Sequence, residues 1–299
     1  MADKLVRGQS MDGAIRVFAC VTTDIAERAR QIHNASPVAA AALGRTLSAA
    51  AMMGAQLKNE TDTVTLQFSG DGPLGKIVAV TDAKSKVRGY IENPFADLPL
   101  NKKGKLDVGG GIGRGRLSIV RDLGLKEPYV GQVPIVTGEV AEDITYYYAK
   151  SEQTPTACGL GVLIDTDLSV KASGGFMIQL MPFATEETAI KLEEQVRKLG
   201  SVTDMIVSGM DAEDILFKVC EGFDMMVENN FVTPGYECKC SKERMERALI
   251  SIGREELQGI LDEIGEAELT CQFCDRKYKF GREEIENMIK IAKIKQKTE

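Results

Sequence analysis

The first 181 residues alternate between short apolar runs of strand length and one long Ala-rich segment. Residues 14–21, apolar except for Arg16, read as a strand, and Val64, Leu66 and Phe68 alternate with polar neighbours. Residues 77–80, 87–91, 116–120, 160–164 and 175–181 read as further strands, most of them bounded by Gly, Asn, Asp or Pro. Asp24 can cap a helix running to about His33. Ser36-Pro37 opens a second helix to about Leu57, with Ser at the cap and Pro in the first turn. Residues 138–150 place Val140, Ile144 and Tyr147 or Tyr148 on one helical face. Strands joined by short turns, with few helices between them, predict antiparallel sheets and an α+β fold rather than a doubly wound one.

Pro182 ends that pattern. Residues 185–231 hold short helical segments, with Ala189, Leu192, Val196 and Leu199 on one stripe and Ile215, Leu216 and Val219 on another. Gly200, Gly209 and Gly222 punctuate them, and Thr233-Pro234-Gly235 closes the stretch. Helices this short depend on docking for their order. The tail predicts helices from Ser241 and from about Arg254, a knuckle over 268–280 and a last helix from Arg282 to about Ile294. The expected organisation is a mixed core domain over 1–181, a conditionally folded helical linker over 182–234 and a small C-terminal module over 235–299.

Charge sharpens this division. Residues 1–185 carry a net +1, residues 186–237 a net −8 and residues 238–299 a net 0. The excess acid sits in the linker, where repulsion weakens helices once they undock. No segment has the Lys/Arg surplus that phosphate neutralisation requires, so no nucleic-acid partner is expected. No run approaches the length of a membrane span, and the N-terminus lacks the apolar core of a secretory signal. His33 is the sole histidine, which leaves little room for a His-based metal site or a Ser-His-Asp triad, and its expected role is structural.

Two glycine-rich segments imitate phosphate cradles. Gly70-Asp71-Gly72-Pro73-Leu74-Gly75-Lys76 resembles a P-loop but continues with Ile77 where the Mg²⁺-binding hydroxyl belongs, and it leads into a strand, so a hairpin turn is expected. Residues 109–115 are expected to form a flexible loop or bulge. Met181, Met205, Met210, Met225 and Met226 lie in or beside the linker, either as core or as an adaptable surface for unlike partners.

The strong chemical signal is cysteine. Of seven, Cys20, Cys158 and Cys220 lie in apolar contexts and read as small core side chains. The other four form Cys238-Lys239-Cys240 and Cys271-Gln272-Phe273-Cys274. Four thiolates can complete a tetrahedral Zn²⁺ shell with no open position for hydrolysis. Cys-x-x-Cys is a knuckle spacing, and in an extended chain the two sulfurs of Cys-x-Cys share a face. By spacing alone, an inert structural zinc, a redox-active site and a metal-free arrangement all stay open.

At these cysteines the chain resembles the bacterial redox-regulated holdase chaperones called thirty-three-kilodalton heat-shock proteins. The likeness extends through Tyr90-Ile91-Glu92-Asn93-Pro94, Arg121-Asp122-Leu123-Gly124-Leu125-Lys126-Glu127-Pro128-Tyr129, Gly138-Glu139-Val140-Ala141-Glu142-Asp143 and Tyr148-Ala149-Lys150-Ser151-Glu152-Gln153. All four ligand positions are matched. The resemblance implies a cytoplasmic protein that is not an enzyme, dormant while reduced and holding one Zn²⁺ through Cys238, Cys240, Cys271 and Cys274. It implies oxidation to Cys238–Cys240 and Cys271–Cys274 disulfides with loss of zinc, and a homodimeric oxidised form. That form would bind unfolding client proteins without ATP and pass them to an ATP-driven chaperone system. The competing expectations are a nucleic-acid ribbon with an inert zinc, against which the neutral tail counts, and a thiol-disulfide oxidoreductase. The latter needs its cysteine pair at a helix N-terminus after a strand.

Overall fold

A computed structural model describes residues 2–228 and 232–295. Residues 229–231, within the expected linker, and 296–299 lie outside the described residues. The chain divides into two compact units, Met1–Glu237 and Cys238–Glu299.

The first unit begins with β1 (Lys4–Ser10), β2 (Ile15–Val21), α1 (Thr23–His33) and α2 (Pro37–Gly54). β3 (Thr63–Gly70), β4 (Lys76–Asp82), β5 (Lys86–Ile91), α3 (Val108–Ile112), β6 (Gly115–Asp122) and β7 (Tyr129–Pro134) follow. Then come α4 (Val140–Lys150), β8 (Thr156–Ile164), β9 (Val170–Leu180), α5 (Glu186–Lys198), α6 (Val202–Val207) and α7 (Ala212–Val219). β10 (Met225–Val227) and β11 (Gly235–Tyr236) complete it. The second unit holds α8 (Lys242–Ser251), α9 (Arg254–Glu263), β12 (Ala267–Thr270), β13 (Lys277–Phe280) and α10 (Arg282–Lys295).

The architecture is α+β, as the strand pattern predicts. A five-stranded sheet has the order β10-β1-β2-β9-β8 and a six-stranded sheet the order β11-β5-β4-β3-β6-β7. All pairs are antiparallel except the short parallel pairing of β11 with β5. α2 is buried along nearly its whole length in the core that both sheets share. Its Ala-rich sequence fits there because small side chains permit close approach. Ser36 Oγ accepts the Ala39 amide at 3.2 Å as its cap. The helix ends at Gly54 rather than near Leu57.

Three local features depart from the sequence pattern. The Asp24 side chain does not cap α1: Thr22 holds the N-cap position, and the amides of Asp24 and Ile25 donate to the Asp3 carboxylate at 3.0 and 2.9 Å. Asp3 reaches them because β1 pairs along β2. The expected loop over 109–115 contains the short helix α3, with Asp107 accepting the Gly110 amide at 3.0 Å. The strands β1, β7, β10 and β11 carry too little periodicity to be predicted. The hairpin expected at Gly70–Lys76 forms, joining β3 to β4. It packs on α3, with the amides of Gly72 and Leu74 donating to the carbonyls of Ile112 and Gly111, both at 3.0 Å. A Cβ on Gly70 or Gly72 would strike that backbone, so these glycines serve close chain approach rather than phosphate.

The five-stranded sheet is apolar on both faces. Leu5, Phe18, Cys20 and Met177 join the shared core, while the alternate residues Val6, Val17, Ala19 and Ile178 join a second cluster. α6 and α7 cover that second face with Met205, Ile206, Ile215, Leu216 and Val219. On α5, Leu192 is buried and Val196 packs partly against the cluster, as does Leu199 at the helix's C-cap. Asp211 caps α7 by accepting the amides of Glu213 and Asp214, and its own amide donates to Asp214, completing a capping box. No helix among the described residues is long and apolar enough to cross a membrane.

Candidate metal centre

The second unit builds its small core from Leu249, Ile250, Leu257, Leu261, Phe280, Ile285 and Met288 around the cysteines. Cys238 and Cys240 come just after β11, beyond Glu237, and precede Ser241, which caps α8 through the Arg244 amide. Cys271 and Cys274 sit at the turn between β12 and β13. There the Cys271 carbonyl accepts the amides of Cys274 at 3.2 Å and Asp275 at 2.8 Å. Asp275 takes a left-handed φ of 55° within that turn.

The four sulfurs lie within 4.8 Å of one another, and all four are free thiols. Across the two segments, Cys238 Sγ is 3.7 Å from Cys271 Sγ and Cys240 Sγ is 3.4 Å from Cys274 Sγ. A tetrahedral Zn²⁺ with bonds of about 2.3 Å separates its sulfurs by about 3.8 Å, so the cluster has the size of such a shell. Four soft donors suit Zn²⁺ and leave no ligand position open for water.

The donors around each sulfur differ. The Tyr278 hydroxyl donates to Cys240 Sγ at 3.0 Å. The Cys240 amide serves Cys238, and the Arg276 amide serves Cys274. Burial pushes the Cys238 and Cys274 thiols up. Burial also opposes charge on Cys240, but hydrogen bonds from Tyr278 and the neighbouring thiols outweigh it and bring Cys240 down to about 7.

The remaining cysteines lie outside this group. Cys20 and Cys220 are buried and Cys158 half-buried. Burial pushes Cys20 strongly up and raises Cys158 and Cys220 to about 12, so all three stay protonated and poorly reactive. His33 is a core residue with Nε2 3.0 Å from the Gly89 carbonyl. Tyr278 is the site residue that the cysteine spacing does not reveal. The alternation Lys277-Tyr278-Lys279-Phe280 on a hairpin strand does signal it, because Tyr278 and Phe280 share the inward face. Cys271 and Cys274 occupy a hairpin turn rather than a helix N-terminus, which is not the setting of a thioredoxin-like pair.

Residues 3–281 match the family model described as Hsp33 protein. A 33 kDa chaperonin of Clostridium acetobutylicum is 50% identical over 291 residues, covering 97% of this chain and 98% of the relative. One of Clostridium tetani is 47% identical over 292 residues, covering 97% and 99%. The crystal structure of the 33 kDa chaperonin from Thermotoga maritima superposes with a TM-score of 0.89 at 37% identity, covering 97% of this chain and 99% of that one.

Proposed function

The chain belongs to the Hsp33 family of redox-regulated chaperones, and we propose that its four clustered cysteines are the redox switch of a holdase, held reduced around one Zn²⁺. It is a chaperone and not an enzyme, and as a chaperone it binds unfolding proteins. The convergence of four free sulfurs from two separate segments within 4.8 Å carries the assignment of the switch.

Cys238, Cys240, Cys271 and Cys274 would hold the metal. Bound there, Zn²⁺ keeps the sulfurs as thiolates and cross-ties the two segments, an effect of about 10–16 kcal/mol in small modules. The chain's own chemistry then supplies the switch. A peroxide oxidises one sulfur to a sulfenic acid as its O–O bond breaks, and one water leaves. The partner thiolate attacks that sulfur, an S–S bond forms, and the second oxygen departs as water. Each disulfide uses up two donors. With Cys238–Cys240 and Cys271–Cys274 formed, no thiolate remains to tie the segments, and a module of this size loses its fold.

The functional division we propose is a core over 1–181, a linker over 182–234 and a switch over 235–299. α6 and α7 cover the apolar face formed by Val6, Val17, Ala19 and Ile178. Undocking of the linker would present that face, together with its own methionines, to a client. The acidic excess of 186–237 would oppose its return. We further propose a cytoplasmic setting, a homodimeric oxidised form, release of clients to an ATP-driven chaperone system and no nucleic-acid partner.

The test is light scattering from a heat-unfolding client protein without ATP. The peroxide-treated chain suppresses scattering, whereas the reduced, zinc-loaded chain does not. Equal suppression by both forms would remove the redox switch.

A further inference from the structure

Tyr278 stands beside the cysteine cluster with one defined task. We propose that Tyr278 is a positioning residue whose hydroxyl, donated to Cys240 Sγ, holds that sulfur as a metal ligand and delays its oxidation relative to Cys271 and Cys274.

The geometry gives the hydroxyl a direction. Its oxygen is 3.0 Å from Cys240 Sγ. The Arg276 side chain, which carries donors only, interacts with the same oxygen. The hydroxyl therefore directs its single proton at the sulfur, since Arg276 beside it offers no competing acceptor. The ring is fixed as well: Tyr278 is 9% exposed, lies opposite Leu269 in the β12–β13 hairpin and belongs to the second unit's core. A donor anchored this way orients the Cys240 side chain as outer partners orient metal ligands elsewhere.

The hydrogen bond also changes reactivity. It draws electron density from the Cys240 lone pair that would otherwise attack a peroxide oxygen. Cys238 and Cys274 receive backbone amides, and Tyr278 is the side-chain hydroxyl that the described contacts place on a cluster sulfur. Cys-x-Cys is thus guarded at Cys240. In the guarded pair the electron balance is unchanged: one peroxide takes two electrons from two thiols, one S–S bond forms and two waters leave. Only its rate is lowered.

This role rests on the redox site proposed above, and Tyr278→Phe in the full chain separates the two. Cobalt(II) loaded into the reduced protein reports on sulfur through its sulfur-to-metal charge-transfer band. Loss of the hydrogen bond moves that band to lower energy in Tyr278→Phe and weakens metal holding, read by chelator competition, about 10-fold. With peroxide on the zinc form, Cys238–Cys240 closure gains about fivefold relative to Cys271–Cys274, read by peptide mass. An unshifted band with an unchanged order of disulfides overturns the proposal, even if affinity falls, because packing alone then explains the loss. Should Tyr278→Phe fail to hold cobalt, replacing Tyr278 with 3-fluorotyrosine keeps the shape and strengthens the donor. The band must then move to higher energy, and a stationary band overturns the proposal. A wild-type chain that takes up no cobalt removes the site itself, and this role with it.

Discussion

The Lys4 ammonium lies 2.9 Å from Asp211 Oδ2, joining the first strand to the residue that caps α7 across 207 positions of sequence. Glu213 stands 3.5 Å from the same nitrogen. Both acids belong to the acidic stretch whose docking we propose to be conditional, so Lys4 is a latch for it. The groups are partly exposed, and such a pair contributes about 0.5–1 kcal/mol. Lys4→Glu replaces attraction by repulsion. Amide exchange over α7 should accelerate several-fold while β3 and β4 stay protected. The reduced chain should also gain some chaperone activity. Unchanged exchange over α7 would show that packing alone holds the helix.

Metal content follows from the sulfur cluster. The reduced chain should carry about one zinc, as a single tetrahedral site requires. Changing Cys238, Cys240, Cys271 and Cys274 together to Ser should abolish it, and elemental analysis of the purified protein measures this. Changing Cys20, Cys158 and Cys220 to Ser should leave zinc content unaltered, since these thiols lie outside the cluster.

Disulfide pairing needs its own measurement, because the sulfurs also approach across the segments, Cys240 to Cys274 at 3.4 Å. Local closure involves little chain ordering, which favours Cys238–Cys240 and Cys271–Cys274. The Cys-x-Cys ring is the tighter and more strained, so it should form later and reduce more easily. Cleavage after Glu yields residues 238–243 and 269–283. After peroxide and heat each peptide should lose two hydrogens, the second peptide first. A cross-linked pair of these peptides as the major product would refute local pairing.

Acid sensitivity of the first unit should trace partly to Glu27. The Arg30 guanidinium, bonded at 2.8 and 2.7 Å, holds its carboxyl down to about 2, with burial opposing and the Val170 amide assisting. The unfolded chain, at an ordinary value of 4.5, takes up the proton first as pH falls. The stabilisation is therefore complete above that value and is lost as pH drops toward about 2. Solvent screening reduces it to about 1 kcal/mol. Urea unfolding midpoints at pH of about 5 and about 3 should differ more for wild type than for Glu27→Gln. Equal differences would show that the pair is not formed in solution.

Much of this protein is legible before folding is considered. Cysteine spacing singled out Cys238, Cys240, Cys271 and Cys274, because ligand convergence at a knuckle is a local property of a few residues. The Ser36-Pro37 start of α2 and the Ser241 start of α8 are local for the same reason: a cap uses only the next turn. Tertiary structure decided what depends on distant partners. β10 and β11 have three and two residues, too few for any periodicity, and exist because β1 and β5 offer them edges. β7 likewise gains its order from β6. Asp24 has the chemistry of a cap, but only the pairing of β1 with β2 brings Asp3 to the start of α1 in its place. Glycine content marks 70–75 and 109–115 as unusual, while their purpose, backbone meeting backbone, appears only when the β3–β4 hairpin packs on α3. Tyr278 reaches Cys240 across 38 positions, and a hydrogen bond between residues so far apart is fixed by the hairpin that carries the tyrosine inward.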